Sequence, residues 1–125
     1  MEKKILVCVT QQKTCERLIL KGYELIDQES DHLTVLHVVK QGARFLEYSS
    51  DAQALEYLFE VSKEVGAELT VKRSKHVLDD MVKYAKEEQV THMILGASPS
   101  QQTQEKSFAI RLQDRLPEVN LIVMD

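Results

Sequence analysis

The sequence predicts a doubly wound α/β domain, a three-layer α/β/α sandwich around one five-stranded parallel sheet with strand order 3-2-1-4-5. Three observations predict it. Short β-rich apolar runs alternate with amphipathic helical stretches along the whole chain, a pattern that buries a parallel sheet between helices. The first run, Ile5-Leu-Val-Cys-Val9, is continuously apolar, as a strand covered on both faces must be. The third, Ala67-Glu-Leu-Thr-Val71, alternates polar and apolar residues and reads as a half-wet edge strand. A central first strand and an edge third strand fit the stated order, which has its switch point between strands 1 and 4.

Each element has its own signal. Thr14 is suited to cap the helix after strand 1. Leu18, Gly22 and Leu25, with Ile19, Tyr23 and Ile26, recur at helical spacing on one broad face. Asp27 to Asp31 is a polar turn, and Leu33-Thr-Val-Leu-His-Val-Val39 is strand 2. Lys40 to Ser49 reads as loop, and Ser50-Asp-Ala-Gln53 resembles a capping box. Ala54, Leu58, Val61 and Val65 form the next helical stripe, with Leu55 and Phe59 beside it and Gly66 as its C-terminal cap. Leu78, Met81, Val82 and Ala85 mark a third helix. Met93-Ile94-Leu95 is strand 4, ending abruptly at Gly96-Ala-Ser-Pro-Ser100. Phe108, Leu112 and Leu116 mark a fourth helix stopped by Pro117, and Val119 to Met124 is strand 5.

Composition bounds the function. At 125 residues, with 43% hydrophobic and 29% charged residues, the chain is expected to be one soluble domain, 1–125. A formal net charge of −4, with both signs interspersed, argues against a nucleic-acid partner. No apolar run approaches a membrane span, and Ile5 to Val9 is too short for a signal-peptide core, so a cytoplasmic location is expected.

In an open parallel sheet a ligand sits beyond the carboxyl ends of the strands at the switch point. That crevice is expected to be lined by Thr10 and Gln11 after strand 1, Val39 and Lys40 after strand 2, and Gly96, Ala97, Ser98 and Ser100 after strand 4. Backbone N–H groups there, with the helix start near Ser107, make an anion pocket. Thr10, Ser98, Ser100 and Ser107 offer hydroxyl donors and Lys106 offers charge. The alternative is a plain turn at Gly96 and Pro99 with solvated serines.

Other chemistries lack their marks. A phosphoacceptor receiver needs acidic residues after strand 1 and an Asp after strand 3, where Thr10-Gln11 and Lys72-Arg73-Ser74 stand. Thr10-Gln-Gln-Lys-Thr14 has no glycine for a flavodoxin-type phosphate loop, and Walker and GxGxxG signatures are absent. His32, His37, His76 and His92 are scattered without metal spacing. His37 lies within strand 2 and His92 at the start of strand 4, away from the crevice, and neither is assigned a role. Asp79 and Asp80 diverge on a helix and form no acid–base pair. Cys8 reads as core. Cys15, at a helix start, has a thiolate reading beside the plainer one of a small buried residue. No catalytic residue and no metal site are expected.

Ile5-Leu-Val-Cys-Val-Thr10, Glu16-Arg-Leu-Ile19, Leu33-Thr-Val-Leu-His-Val38 and Val90-Thr-His-Met-Ile-Leu-Gly-Ala-Ser98 follow one another in an order and spacing that resembles the universal stress protein family. The resemblance covers essentially the whole chain. It looks closest to the small cytoplasmic domain of potassium-sensing histidine kinases. It implies the adenine nucleotide α-hydrolase-like form of the fold. It also implies a G-x-x-G-x9-G-[ST] loop after strand 4 for ATP and an acidic residue closing strand 1. Gly96 matches the first glycine, Pro99 replaces the second, and Lys106-Ser107 stands where the last G-[ST] pair falls, in a shortened loop. Thr10 replaces the acid. Proline fixes φ and removes an N–H donor, so ATP binding is expected to be weak or absent.

The resemblance implies a stand-alone, non-enzymatic regulatory module that binds an adenine nucleotide such as ATP or AMP weakly, or a partner protein. Cyclic di-AMP, which some kinase-domain relatives bind, is implied only as an alternative ligand, because Thr10 alone stands where those relatives carry serines. The family's habit of dimerising implies a homodimer through strand 5, Val119 to Met124. The rivals are an ATP-hydrolysing member using Ser107, Lys106 and Mg²⁺, and a dimerisation module with an empty crevice.

Overall fold

The computed structural model describes residues 2–9, 12–42, 51–96 and 108–124, with the backbone alone at 12–14 and 51. The elements run β1 (Lys4–Cys8), α1 (Gln12–Glu24), β2 (His32–Lys40), α2 (Asp51–Glu64), β3 (Glu68–Ser74), α3 (Val77–Glu87), β4 (His92–Gly96), α4 (Phe108–Arg115) and β5 (Asn120–Met124). The strands form one sheet in the order β3-β2-β1-β4-β5, and every pairing is parallel. This is the predicted topology.

The alternation of side chains along the strands divides the core in two. Ile5, Val7, Val9, Leu33, Val35 and Ile94 face one side and pack with Cys15, Leu18 and Ile19 of α1 and Ala54 and Leu58 of α2. Leu6, Cys8, Leu36, Val38, Met93 and Leu95 face the other and meet Met81, Val82 and Ala85 of α3 and Leu112 and Leu116 beyond. Asp79 of α3 and Arg115 of α4 form an ion pair across their shared outer surface.

Gly22 shows why α1 sits so close to the sheet. A Cβ built on it would lie 2.7 Å from Val7 Cγ2 and 2.8 Å from Leu33 Cδ1. Only a residue without a side chain lets the helix settle on β1 and β2 at that distance.

The amino edge of the sheet is tied together by side chains. Asp31, whose side chain is fully buried, accepts hydrogen bonds from Lys3 N at 2.7 Å, Asp27 N at 3.1 Å and Gln28 N at 3.3 Å. These N–H donors, Lys3 first, pull its carboxyl down to about 2 from an ordinary 3.8. Next to it, Lys4 N donates to Thr91 Oγ1 at 2.9 Å, and Thr91 N donates to Lys4 O at 2.9 Å.

Four details differ from the sequence reading. α1 begins at Gln12, so Thr14 lies within its first turn and is not its cap. Tyr23 is 52% exposed, because it sits at the margin of the apolar arc and not on it. Leu55 and Phe59 are likewise exposed, on the flank of α2 turned away from its buried stripe. β3 continues to Ser74, since β2 pairs with it through Lys40↔Ser74 despite the charges of Lys72 and Arg73. Ser50, offered as a cap, falls outside the described residues. Gly66, at φ 69°, ends α2 as expected, with Ala67 N donating to Ser62 O and Gly66 N to Lys63 O.

Gly22→Ala is expected to destabilise the protein by about 1–3 kcal/mol through overpacking, despite alanine's higher helix propensity. Equal or higher stability in urea denaturation would contradict the close approach. For Asp31 the folded pKa lies below the unfolded one, so its contribution is complete above about pH 4 and is lost as pH falls toward 2. Asp31→Asn is expected to lower the melting temperature at pH 7 and to flatten the decline between pH 4 and 2. A decline as steep as the wild type's would exclude Asp31 as its source.

Candidate functional site

The site follows from where the chain changes direction in the sheet. After β1 it crosses by α1 to β2 on one side, and after β4 it crosses by α4 to β5 on the other. α1 and α4 lie on opposite faces. Among the described residues no crossover helix spans the space above the carboxyl ends of β1 and β4.

The strand lengths give that space a floor and a wall. Cys8 is level with Leu36 of β2 and Leu95 of β4, and β1 pairs no further. β4 continues one residue, to Gly96. β2 continues to Lys40, so Val39 stands three residues above the end of β1, roughly 10 Å. Val9 closes the floor and is 1% exposed. Its N–H donates to Leu36 O at 3.0 Å, and its carbonyl accepts from His37 Nδ1 at 2.8 Å. At the top of the wall Gln41 N donates to Ser74 O, and Gly42 follows at φ 88°.

Every helix in a parallel α/β sheet starts at this edge and ends at the other. The positive ends of the helix dipoles thus surround the carboxyl edge, and the negative ends surround the amino edge. A cavity of about 900 Å³ does lie at the amino edge, lined by Lys86, Thr91, His92, Arg115 and Glu118 among others. The carboxyl termini of α3 and α4 point toward it, which disfavours a phosphate there. A smaller one of about 220 Å³ includes Lys4, His32, Glu68 and Tyr84. For an anionic ligand the carboxyl edge is the better end of the molecule.

Of the residues expected at the site, Val39 and Gly96 lie near the carboxyl ends of the two strands that flank β1, within β2 and β4 and not after them as expected. Lys40 is there too, exposed. Thr10, Gln11, Ala97, Ser98, Ser100, Lys106 and Ser107 lie outside the described residues. His92 is at the amino edge, beside Thr91 Oγ1. Cys15 is fully buried, and burial, with Glu16 adding to it, pushes its thiol up to about 12. Of the two readings the small buried residue holds, since burial disfavours the thiolate, and Cys8 is a second buried thiol. The residue the sequence reading passed over is His37. Its signal was its position, two residues before Val39 and so on the same face of β2.

The universal stress protein family profile matches residues 1–112. No curated protein matches. Among solved structures, a universal stress protein in complex with cAMP superposes with a TM-score of 0.72 at 12% identity, over 98% of this chain and 97% of that one. A universal stress protein from Archaeoglobus fulgidus gives 0.68 at 19% identity, over 98% and 93%. A structure of the Archaeoglobus fulgidus protein in complex with dAMP gives 0.57 at 16%, over 98% of both chains. At these identities the likeness speaks for the fold.

Proposed function

This chain belongs to the universal stress protein family, and from that premise we propose that it is a non-enzymatic, cytoplasmic regulatory module that binds an adenine mononucleotide in the crevice above β1 and β4. The observation that supports the reading is the unequal height of the strand ends. β1 ends at Cys8 between a taller β2 and a β4 closing in Gly96, where helix amino termini favour a phosphate. Two structural neighbours, in complex with cAMP and dAMP, make a nucleotide with a single phosphate the first ligand to test.

The sequence after β4 favours one phosphate over three. Gly96 keeps the family's first glycine, but Pro99 and Lys106 replace the other two. A triphosphate needs several closely approaching backbone N–H donors, and proline supplies none. The likeness to the domain of potassium-sensing kinases adds cyclic di-AMP to the ligands to compare. Isothermal titration is expected to show cAMP or AMP binding about tenfold or more tighter than ATP, with no phosphate released from ATP above a Lys106→Ala background. Tightest binding of ATP, or heat from none of these ligands, would overturn the reading.

We also propose that the module is a two-fold dimer through β5. The two edges of the sheet differ. β3 carries Glu68, Lys72 and Arg73, charges that deter pairing. β5 is Asn-Leu-Ile-Val-Met, without a charge, and Val123 is 46% exposed. A groove of about 820 Å³ runs along it past Gln113, Asn120 and Ile122. Sedimentation is expected to give a dimer for the wild type and a monomer for Val123→Lys. A dimer in both would place the interface elsewhere.

A further inference from the structure

We infer that His37 is a positioning residue for the crevice: its imidazole takes over from the sheet ladder at the point where β1 ends and fixes the carbonyl at the crevice floor. The inference rests on the proposed ligand site, and it concerns a residue that does not itself line the ligand's space.

The geometry is specific. The register of β1 on β2 runs from Lys4↔His32 to Cys8↔Leu36, so the next level sets Val9 beside His37. Val9 still donates its N–H to Leu36 O at 3.0 Å, but it no longer belongs to the strand. Its carbonyl instead accepts from His37 Nδ1 at 2.8 Å. A carbonyl only accepts, so Nδ1 carries the proton, and this bond selects the tautomer. Both partners are buried, at 1% exposure each. A carbonyl left unmatched in such surroundings is costly, so the ring and the floor of the crevice are held together.

The consequence is mechanical. A parallel ladder that continued past Cys8 would keep β1 flat against β2 and fill the space at the foot of Val39. A side-chain donor lets the ladder stop at this level while the buried carbonyl of Val9 stays satisfied. Val9 is thus pinned on both sides, its N–H to β2 backbone and its C=O to a β2 side chain, level with Gly96 of β4 and two residues below Val39 of β2.

The test compares three variants. In His37→Leu the donor is gone. In His37→Asn the side-chain amide nitrogen can reach the place of Nδ1. In His37→Gln it reaches instead toward Nε2, which supplies a second loss variant should the leucine variant fail to fold. Amide exchange followed by NMR reads Val9 against Leu6, deep in the same strand. The expected result is a fall of about tenfold in Val9 protection relative to Leu6 in His37→Leu or His37→Gln, recovered in His37→Asn. Global destabilisation would lower both amides together, as Gly22→Ala should. In parallel, cAMP affinity is expected to weaken about tenfold in the loss variants, to recover in His37→Asn and to stay unchanged in Gly22→Ala. An unchanged Val9 to Leu6 ratio overturns the inference, and so does a changed ratio with unchanged affinity. A wild type that binds no nucleotide removes the proposed function, while the exchange ratio still decides whether His37 holds Val9.

Discussion

β1 is the constraint on which the rest of the structure depends. It is paired on both edges, with β2 and β4, and covered on both faces, and Leu6 and Val7 have no exposed surface. A strand enclosed in this way has no freedom to slip, because a shift of one residue would exchange its two faces. The level at which it stops therefore fixes where the crevice floor lies. Gly22 serves the packing of this strand and not the level at which it stops, since it lets α1 press onto Val7 and Leu33.

The two ends of the sheet are built to opposite purposes. At the amino edge side chains stitch strand to strand: Asp31 gathers the backbone of Lys3, Asp27 and Gln28, and Thr91 clasps Lys4. At the carboxyl edge the strands end at unequal heights, and a side chain of β2, His37, replaces backbone pairing below the crevice. The helix dipoles add a sign to this asymmetry, since their positive ends meet at the carboxyl edge. A phosphate is thereby favoured above the end of β1, and not at the amino-edge cavity.

Much of this was legible in the sequence, for reasons that particular residues make plain. Ile5 to Val9 announced a central strand because only burial on both faces tolerates five apolar residues in a row. Ala67 to Val71 announced an edge because one face is wet. Those two runs fixed the topology, and the topology placed Val39 and Gly96 before any coordinates did. Less legible were residues at the margin of a helical arc. Tyr23, Leu55 and Phe59 have apolar side chains at spacings close to the buried stripe, and a turn of a few tens of degrees decides their exposure. The far end of β3 was hidden by Lys72 and Arg73, whose charges read as loop but are accommodated at an edge. His37 was hidden for another reason: its partner is a backbone carbonyl, which leaves no trace in side-chain patterns. The loop chemistry of Thr10, Ser98, Lys106 and Ser107 is a reading of residue types alone.

A ligand seated above the carboxyl ends of β1 and β4 would show itself in amide chemical shifts recorded during titration with cAMP. The largest changes are expected on Val9, Val39 and Gly96, with Thr91 and Asn120 at the opposite edge unmoved. Changes gathered around Thr91, Asn120 and Arg115 instead would move the seat to the amino-edge cavity and rule out a seat above β1 and β4.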